Sequence, residues 1–269
     1  TSIISKDISL SVEDGFADEA KLLIQNLKEM GYNVTDKGQT VIALCHFPQN
    51  MQAKNDEHYR LDVKDKYITV SGGTPHAIFN GTQTLVSLLK KQTIPAKLEN
   101  IAINDYPDLL YRGMMLDIAR NFTKKADLLK LINQLAAYKI NVLHFHFSDD
   151  EAWRLEIPGL EELTAIGSRR GFTEDESQCL YPVYYGGWNP NDTTATANGY
   201  YTREDFIEVL QYAAKRHITV IPEIESPGHA RAAIKAMEAR FNRLKGEDME
   251  KAREYLLSES ADTSKYVSA

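Results

Sequence analysis

The sequence predicts an α/β protein in two parts: a small α+β domain over residues 1–106, then strand–helix units over 107–269. Three observations carry this. The rhythm of apolar residues changes near residue 107. The second part sets nearly continuous apolar strands beside amphipathic helices, the pattern of a parallel sheet covered on both faces. Each of its three strands also ends in a cluster of polar side chains.

In the first part, Ile8 to Val12 alternates apolar and polar residues, as a half-buried strand does. Asp18 to Met30 places Ala20, Leu23, Ile24 and Leu27 at helical spacing, with Gly31 as the C-terminal stop. Val41 to Leu44 reads as a short strand. Tyr59–Val63 and Tyr67–Val70 read as a hairpin joined by Lys64-Asp65-Lys66. Ala77 to Leu89 is helical, and the stretch from Asn104 to Asp108 reads as a turn-rich boundary. Beyond it, strands are expected at Tyr111–Ile118, Asn141–Phe147 and Ile218–Ile224. Helices are expected at Lys124–Tyr138, at Arg203–Arg216 and from Pro227 to about Leu257. A loop rich in Tyr, Gly, Asn and Thr occupies residues 181–201.

Composition narrows the function classes. There are 31 basic and 38 acidic residues, a net charge of −7, and the basic ones form no patch, so no nucleic-acid partner is expected. No apolar run approaches the roughly 18 residues of a membrane span, and no membrane partner is expected. Cys45 and Cys179 are far apart in the chain and read as unpaired thiols. No signal peptide is visible.

The chemistry gathers at the strand ends. Asp117, Arg120 and Asn121 follow the first strand; His144, His146, Asp149, Asp150 and Glu151 the second; Glu223, Glu225 and His229 the third. In a βα barrel, catalytic residues come from the C-terminal ends of several strands and converge on one face. Singly, each residue has a plainer explanation. A strand-end Asp caps helices, and His144 and His146, on one strand face, also fit as core histidines. The His-x-His pair followed by acids resembles a ligand set, but nothing completes a coordination shell, so no metal or cofactor is expected. Tyr181, Tyr184, Tyr185, Tyr200, Tyr201 and Trp188 give the long loop flat apolar faces suited to sugar rings, or to folding the loop onto its own sheet.

Three stretches carry a family resemblance. Arg112-Gly113-Met114-Met115-Leu116-Asp117-Ile118-Ala119-Arg120-Asn121-Phe122 resembles the first barrel strand of family 20 glycoside hydrolases, the β-N-acetylhexosaminidases. Asn141 to Ile157, with His144-Phe145-His146-Phe147-Ser148-Asp149-Asp150-Glu151 and Trp153-Arg154-Leu155-Glu156-Ile157, resembles the second. Ile221-Pro222-Glu223-Ile224-Glu225-Ser226-Pro227-Gly228-His229 resembles the third. Glu57-His58-Tyr59-Arg60-Leu61 and Gly81-Thr82-Gln83-Thr84-Leu85 resemble the small domain that precedes the barrel in these enzymes.

The resemblance implies a small α+β domain followed by the first three βα units of a TIM (β/α)8 barrel, incomplete within these residues. It implies an exo-acting enzyme that removes terminal GlcNAc or GalNAc from oligosaccharides or glycoconjugates, with retention. The substrate's own acetamide acts as nucleophile. Arg120 matches the arginine that binds hydroxyls of the terminal sugar. Asp149 matches an aspartate that supports a histidine, and His229 matches that histidine, which contacts the catalytic glutamate. Asp117, His144, His146 and Glu223 match positions that line or brace the pocket floor. The family's acid and its acetamide-orienting neighbour follow Gly-Gly as an Asp-Glu pair on the fourth strand. Here Gly72-Gly73 precedes Thr74 and Gly186-Gly187 precedes Trp188, so no such pair occurs. The 269 residues alone are therefore expected to be inactive and to self-associate through the faces of an unfinished barrel. Other readings are a non-catalytic carbohydrate-binding fragment and one chain of a split barrel. The resemblance favours a secreted, periplasmic or lysosome-like compartment.

Overall fold

The computed structural model describes residues 1–255. They form two compact units, one of residues 1–112 with 133–141 and 214–218, the other of 113–132, 142–213 and the remainder from 219. The boundary is thus not a single cut near 106. Segments 133–141 and 214–218 pack with the first unit because their side chains meet its acids, of which Glu19 and Glu57 are buried. Asn141 Nδ2 donates to Glu57 Oε1 at 3.4 Å, Lys139 Nζ to Asp105 Oδ2 at 3.1 Å, and His217 Nε2 lies 3.0 Å from Glu19 Oε1.

The first unit contains β1 (Ser2–Ile4), β2 (Asp7–Val12), α1 (Ala17–Glu29), β3 (Asn33–Val34), β4 (Thr40–His46), β5 (Tyr59–Lys64), β6 (Tyr67–Gly72), α2 (Pro75–Lys90), β7 (Ala96–Leu98) and β8 (Ile101–Asp105). Six strands form one sheet in the order β3-β2-β4-β6-β5-β8, while β1 pairs with β7. Alternation fixes which face is buried: Ile42 and Leu44 of β4, Leu61 and Val63 of β5, and Ile68 and Val70 of β6 are inaccessible or nearly so. Leu23 and Leu27 of α1 pack into this core, each worth roughly 1.5–3 kcal/mol in burial. Helix α2 starts where Thr74 caps it, its hydroxyl accepting from Ala77 N at 3.1 Å, with Pro75 in the first turn. Gly31 ends α1 at φ +94°, a conformation open to glycine and costly to a side chain. Asn104 and Asp105 are strand rather than turn. β8 pairs antiparallel with β5, Tyr59 facing Asp105, and that ladder overrides the turn preference of the residues.

A histidine pair lies in this unit. The rings of His76 and His217 stack at 4.7 Å with an interplanar angle of 9°. His76 Nε2 is 3.3 Å from Glu57 Oε2, which Arg112 also engages. Burial pushes the His76 pKa down to about 4; Glu57 opposes this, and His217 and Arg112 add to it. The ordinary value is about 6.5, so the folded state binds this proton less well than the unfolded chain. The His76 contribution to stability is complete above about pH 6.5 and is lost as pH falls towards 4. Urea unfolding at pH 7.5 and 4.5 should show a drop in stability that His76→Gln reduces. An unchanged pH dependence in the variant would remove His76 from this role.

The second unit is built on β9 (Gly113–Asp117), β10 (Val142–His146) and β11 (Thr219–Glu223), with α3 (Lys125–Ala137), whose residues from 133 belong to the first unit, and α5 (Arg203–Ala214), whose last residue does too, between them in the chain. A short α4 (Glu162–Ala165) and the terminal α6 (Arg231–Leu244) and α7 (Met249–Arg253) complete the described elements. The three strands are parallel, in the order β11-β10-β9. The central strand buries Val142, Leu143 and Phe145, the continuous apolar pattern of a strand covered on both faces. Phe145 stacks on Phe206 of α5 at 6.3 Å. The final helical stretch differs from expectation. Residues 227–230 are not helical, α6 starts at Arg231, and turn residues including Gly246 separate it from α7. Leu257, the expected limit, lies outside the described residues. Both cysteines are free thiols.

Candidate functional site

Parallel pairing sets Asp117 of β9, His146 of β10 and Glu223 of β11 side by side, at the last position of each strand. This is what strand-end clustering in the sequence requires of a parallel sheet. His144 and His146, two apart and so on one face, both reach Glu223: its Oε2 is 2.7 Å from His144 Nε2 and 3.1 Å from His146 Nδ1. Glu225 is more distant, 3.9 Å from the same nitrogen of His146.

Asp149 is the hub of a second group. It is buried on the turn after β10, a turn closed by its backbone N–H donating to Ala152 O at 2.9 Å. Its Oδ2 is 2.8 Å from both His146 Nε2 and Arg120 Nη1. Its Oδ1 is 3.2 Å from His229 Nδ1 and accepts from Asp150 N at 2.6 Å. His229 Nδ1 also lies 3.4 Å from Asp150 Oδ2. His229 holds φ at +50°, a costly conformation for a histidine that turns the chain after β11.

Arg120 is engaged on two edges. Nη1 contacts Asp117 Oδ2 at 3.0 Å as well as Asp149, and Nε contacts Glu151 Oε2 at 3.0 Å. Asp117 also closes the turn after β9, its Oδ1 accepting from Ala119 N at 2.9 Å and Arg120 N at 3.2 Å. Burial opposes the Arg120 charge, but Asp149, Asp117 and Glu151 outweigh it and raise its pKa. Burial likewise opposes a charged His146, yet the bonds to Asp149 and Glu223 leave its pKa above the ordinary value. Glu223 is lowered, burial being outweighed by the bond from His146, while burial raises Glu151 against the pull of Arg120. The result is a fixed, charged array open on one side, since the Arg120 and His229 side chains remain 28% and 38% exposed.

The sequence reading missed the residues that hold this array. Arg154 is wholly buried with no carboxylate on its guanidinium among the described residues. It donates from Nε to Ile118 O at 3.0 Å, from Nη2 to Ala119 O at 2.9 Å, and from Nη1 to Ser168 O at 3.1 Å and Gly199 O at 2.9 Å. Burial pushes its pKa down to about 9, still above neutrality. Arg170, also buried, donates from Nη2 to Arg120 O and Tyr185 O. Two buried arginines thus clamp the backbone that carries Arg120. Arg231 joins the rim, its N–H donating to Asp150 Oδ1 at 3.1 Å and its guanidinium pairing with Glu176. No periodicity marks an arginine as buried, so only the Trp153-Arg154-Leu155-Glu156-Ile157 motif offered a signal.

Two groups, His146 with Asp149 and Glu225, and Asp149 with Asp150 and His229, bring ligand-type atoms within 4.8 Å of one another. Asp149 belongs to both and is already engaged by Arg120.

Comparisons with known proteins point one way. The family description "Glycosyl hydrolase family 20, catalytic domain" matches residues 109–267, and "Glycosyl hydrolase family 20, domain 2" matches 1–106. Beta-hexosaminidase B of Pseudoalteromonas piscicida is 40% identical over 266 residues, covering 98% of this chain and 33% of the relative. The N,N'-diacetylchitobiase of Vibrio harveyi is 43% identical over 207 residues, 77% of this chain and 23% of the relative. The chain thus spans a third or less of these relatives. A crystal structure of a GH20 exo β-N-acetylglucosaminidase from Vibrio harveyi, in complex with N-acetylglucosamine, superposes with a TM-score of 0.79 at 31% identity. It covers 97% of this chain and 37% of that one.

Proposed function

The chain belongs to glycosyl hydrolase family 20, and we propose that its strand-end array is the terminal-sugar half of an exo-β-N-acetylhexosaminidase site. The reading makes residues 1–106 an accessory domain and β9 to β11 the first three strands of a (β/α)8 barrel. The observation that carries it is the convergence of Arg120, Asp149 and His229 in one charged, partly open network at the C-terminal ends of three parallel strands.

The chemistry follows from the donors. Arg120 presents a planar fork, and its Nε and Nη1 are held by carboxylates, which fixes the guanidinium plane. From that position it hydrogen-bonds hydroxyls of a terminal GlcNAc or GalNAc. Asp149 orients His229 through Nδ1, leaving Nε2 to contact the general acid. Asp117, His146 and Glu223, with His144, form the floor. The substrate acetamide attacks the anomeric carbon and a glutamic acid protonates the leaving oxygen; a neighbouring aspartate stabilises the charge that develops on the acetamide. No Gly-Gly-Asp-Glu occurs among the 269 residues. These residues therefore position sugar and tune an acid that they do not themselves supply.

Two measurements follow. The 269-residue chain alone should not release aryl alcohol from an aryl β-N-acetylglucosaminide, and turnover by chain free of any longer enzyme would refute this division of labour. The same residues within a complete family 20 barrel should turn that substrate over with retention. Inversion, seen by NMR of the first-formed sugar, would reject the acetamide mechanism. Met115 and Ile221, on β9 and β11, are exposed, and in the isolated chain we expect such faces to be covered by self-association.

A further inference from the structure

The long loop between β10 and α5 exposes a group of aromatic rings. Phe172 is 71% exposed, Trp188 57%, Tyr185 80%, and Tyr181 and Tyr184 are nearly half exposed. The Phe172 ring lies 6.1 Å from that of Trp188 and 6.2 Å from that of Tyr181. Burial drives none of these rings to such positions, and exposed aromatics grouped this way mark a recognition surface.

The loop is anchored to the candidate pocket at two places. At one, Arg170 Nη2 binds Tyr185 O and Arg120 O together, and Ala197 N donates to Gly186 O at 2.9 Å. Gly186 sits at φ +144°, where a Cβ would come within 2.7 Å of Asn121 Oδ1, so the loop's approach to Asn121 requires glycine. At the other, Tyr181 N donates to Glu176 Oε1 at 2.7 Å, Glu176 pairs with Arg231, and Arg231 N donates to Asp150. The loop backbone that carries the rings is therefore tied at Tyr185 to the side chain that also binds the backbone of Arg120, and at Tyr181, through Glu176 and Arg231, to Asp150.

We propose that Phe172, Tyr181 and Trp188 form a stacking platform for sugar units of an oligosaccharide whose terminal residue occupies the Arg120 pocket. The occupant is a neutral, β-linked N-acetylhexosamine oligomer. Its β linkage and acetamido group follow from the hexosaminidase reading, and three observations favour a neutral sugar chain. Flat rings suit the C–H faces of pyranoses, and the O–H of Tyr181 and N–H of Trp188 suit their hydroxyl rims. The net charge of −7 disfavours polyanions. The loop that carries the platform is also bonded to the backbone beside the pocket through Arg170, and to Asp150 through Glu176 and Arg231. This deepens the hexosaminidase reading and rests on it. It turns a site for one terminal sugar into one that discriminates by chain length.

The test uses the 269-residue chain and two probes, GlcNAc and its β-1,4-linked tetramer. The chain has two tryptophans, Trp153 nearly buried and Trp188 exposed, so emission from the exposed one reports the platform and the other reports folding. The tetramer should blue-shift emission saturably, GlcNAc should not, and Trp188→Phe should abolish the shift. By calorimetry, Phe172→Ala should weaken tetramer binding about tenfold while leaving GlcNAc binding unchanged. Tetramer binding without a Trp188 response, or equal tetramer affinity in Phe172→Ala, would overturn the platform. So would dissociation of a dimer by Trp188→Ala with no effect on tetramer affinity, since the rings then belong to a contact between copies. Arg120→Ala separates the two readings. If it leaves GlcNAc binding intact while Phe172→Ala weakens the tetramer, the pocket assignment fails and the platform stands. The reverse pattern fails the platform alone.

Discussion

Replacing Arg154 by methionine should cost on the order of 4 kcal/mol of stability, the largest single effect expected in the second unit. Methionine preserves length and much of the volume, so little of the loss comes from a cavity. What disappears is the donor set. Carbonyls of Ile118, Ala119, Ser168 and Gly199 all accept from this one guanidinium. A buried carbonyl left without a donor costs about 1–3 kcal/mol, and water entering the gap recovers part of the sum. Lysine, with one ammonium for four carbonyls spread around a plane, should restore less than half of the loss. Urea unfolding followed by fluorescence of the adjacent Trp153 measures this. A loss below about 1 kcal/mol in Arg154→Met would mean that the carbonyls find other donors. Because Ile118 and Ala119 lead into Arg120, the same variant in a complete barrel should also lower kcat at a temperature where the protein remains folded.

Arg120→Lys, in a complete family 20 barrel that carries this sequence, should lower kcat/KM by about one to two orders of magnitude. A charge-assisted hydrogen bond is worth roughly 1.5–3 kcal/mol, and lysine loses the fork that serves neighbouring hydroxyls together. The structure adds a second consequence. Nη1 and Nε tie Asp117, Asp149 and Glu151 together, and one ammonium cannot reach all three. A fall in melting temperature should accompany the loss of activity. If Arg120→Lys lowers the melting temperature but leaves kcat/KM within twofold, Arg120 braces the strand end and does not bind sugar.

Periodicity made the main strands and helices legible, because they bury one face or a continuous run. It missed β8, where Asn104 and Asp105 carry turn chemistry but pair with Arg60 and Tyr59. It missed β1, β3 and β7, which at three residues or fewer are too short to show alternation. It also ran one helix through Gly246, which carries a weak apolar signal on both sides. Among the strand-end residues, the resemblance groups Asp117, His144, His146 and Glu223, and parallel register aligns three of them, Asp117, His146 and Glu223. The resemblance pairs Asp149 with His229, but the contacts of Asp149 with Arg120 and His146 were not legible. Asp149 meets both His146 and His229 only because of the turn closed by Ala152 O and the left-handed backbone at His229. Periodicity did not mark the buried arginines, for a related reason. A side chain that satisfies carbonyls through tertiary contacts leaves no periodic trace.

The most direct test of the terminal-sugar site is a crystal structure of a complete family 20 barrel carrying these residues, with GlcNAc bound. The account predicts Arg120 Nη2 about 3 Å from two adjacent hydroxyl oxygens of the sugar, with Asp149 still bonded to His229 Nδ1. A sugar bound elsewhere, with the Arg120 guanidinium contacting only Asp117, Asp149 and Glu151, would contradict it.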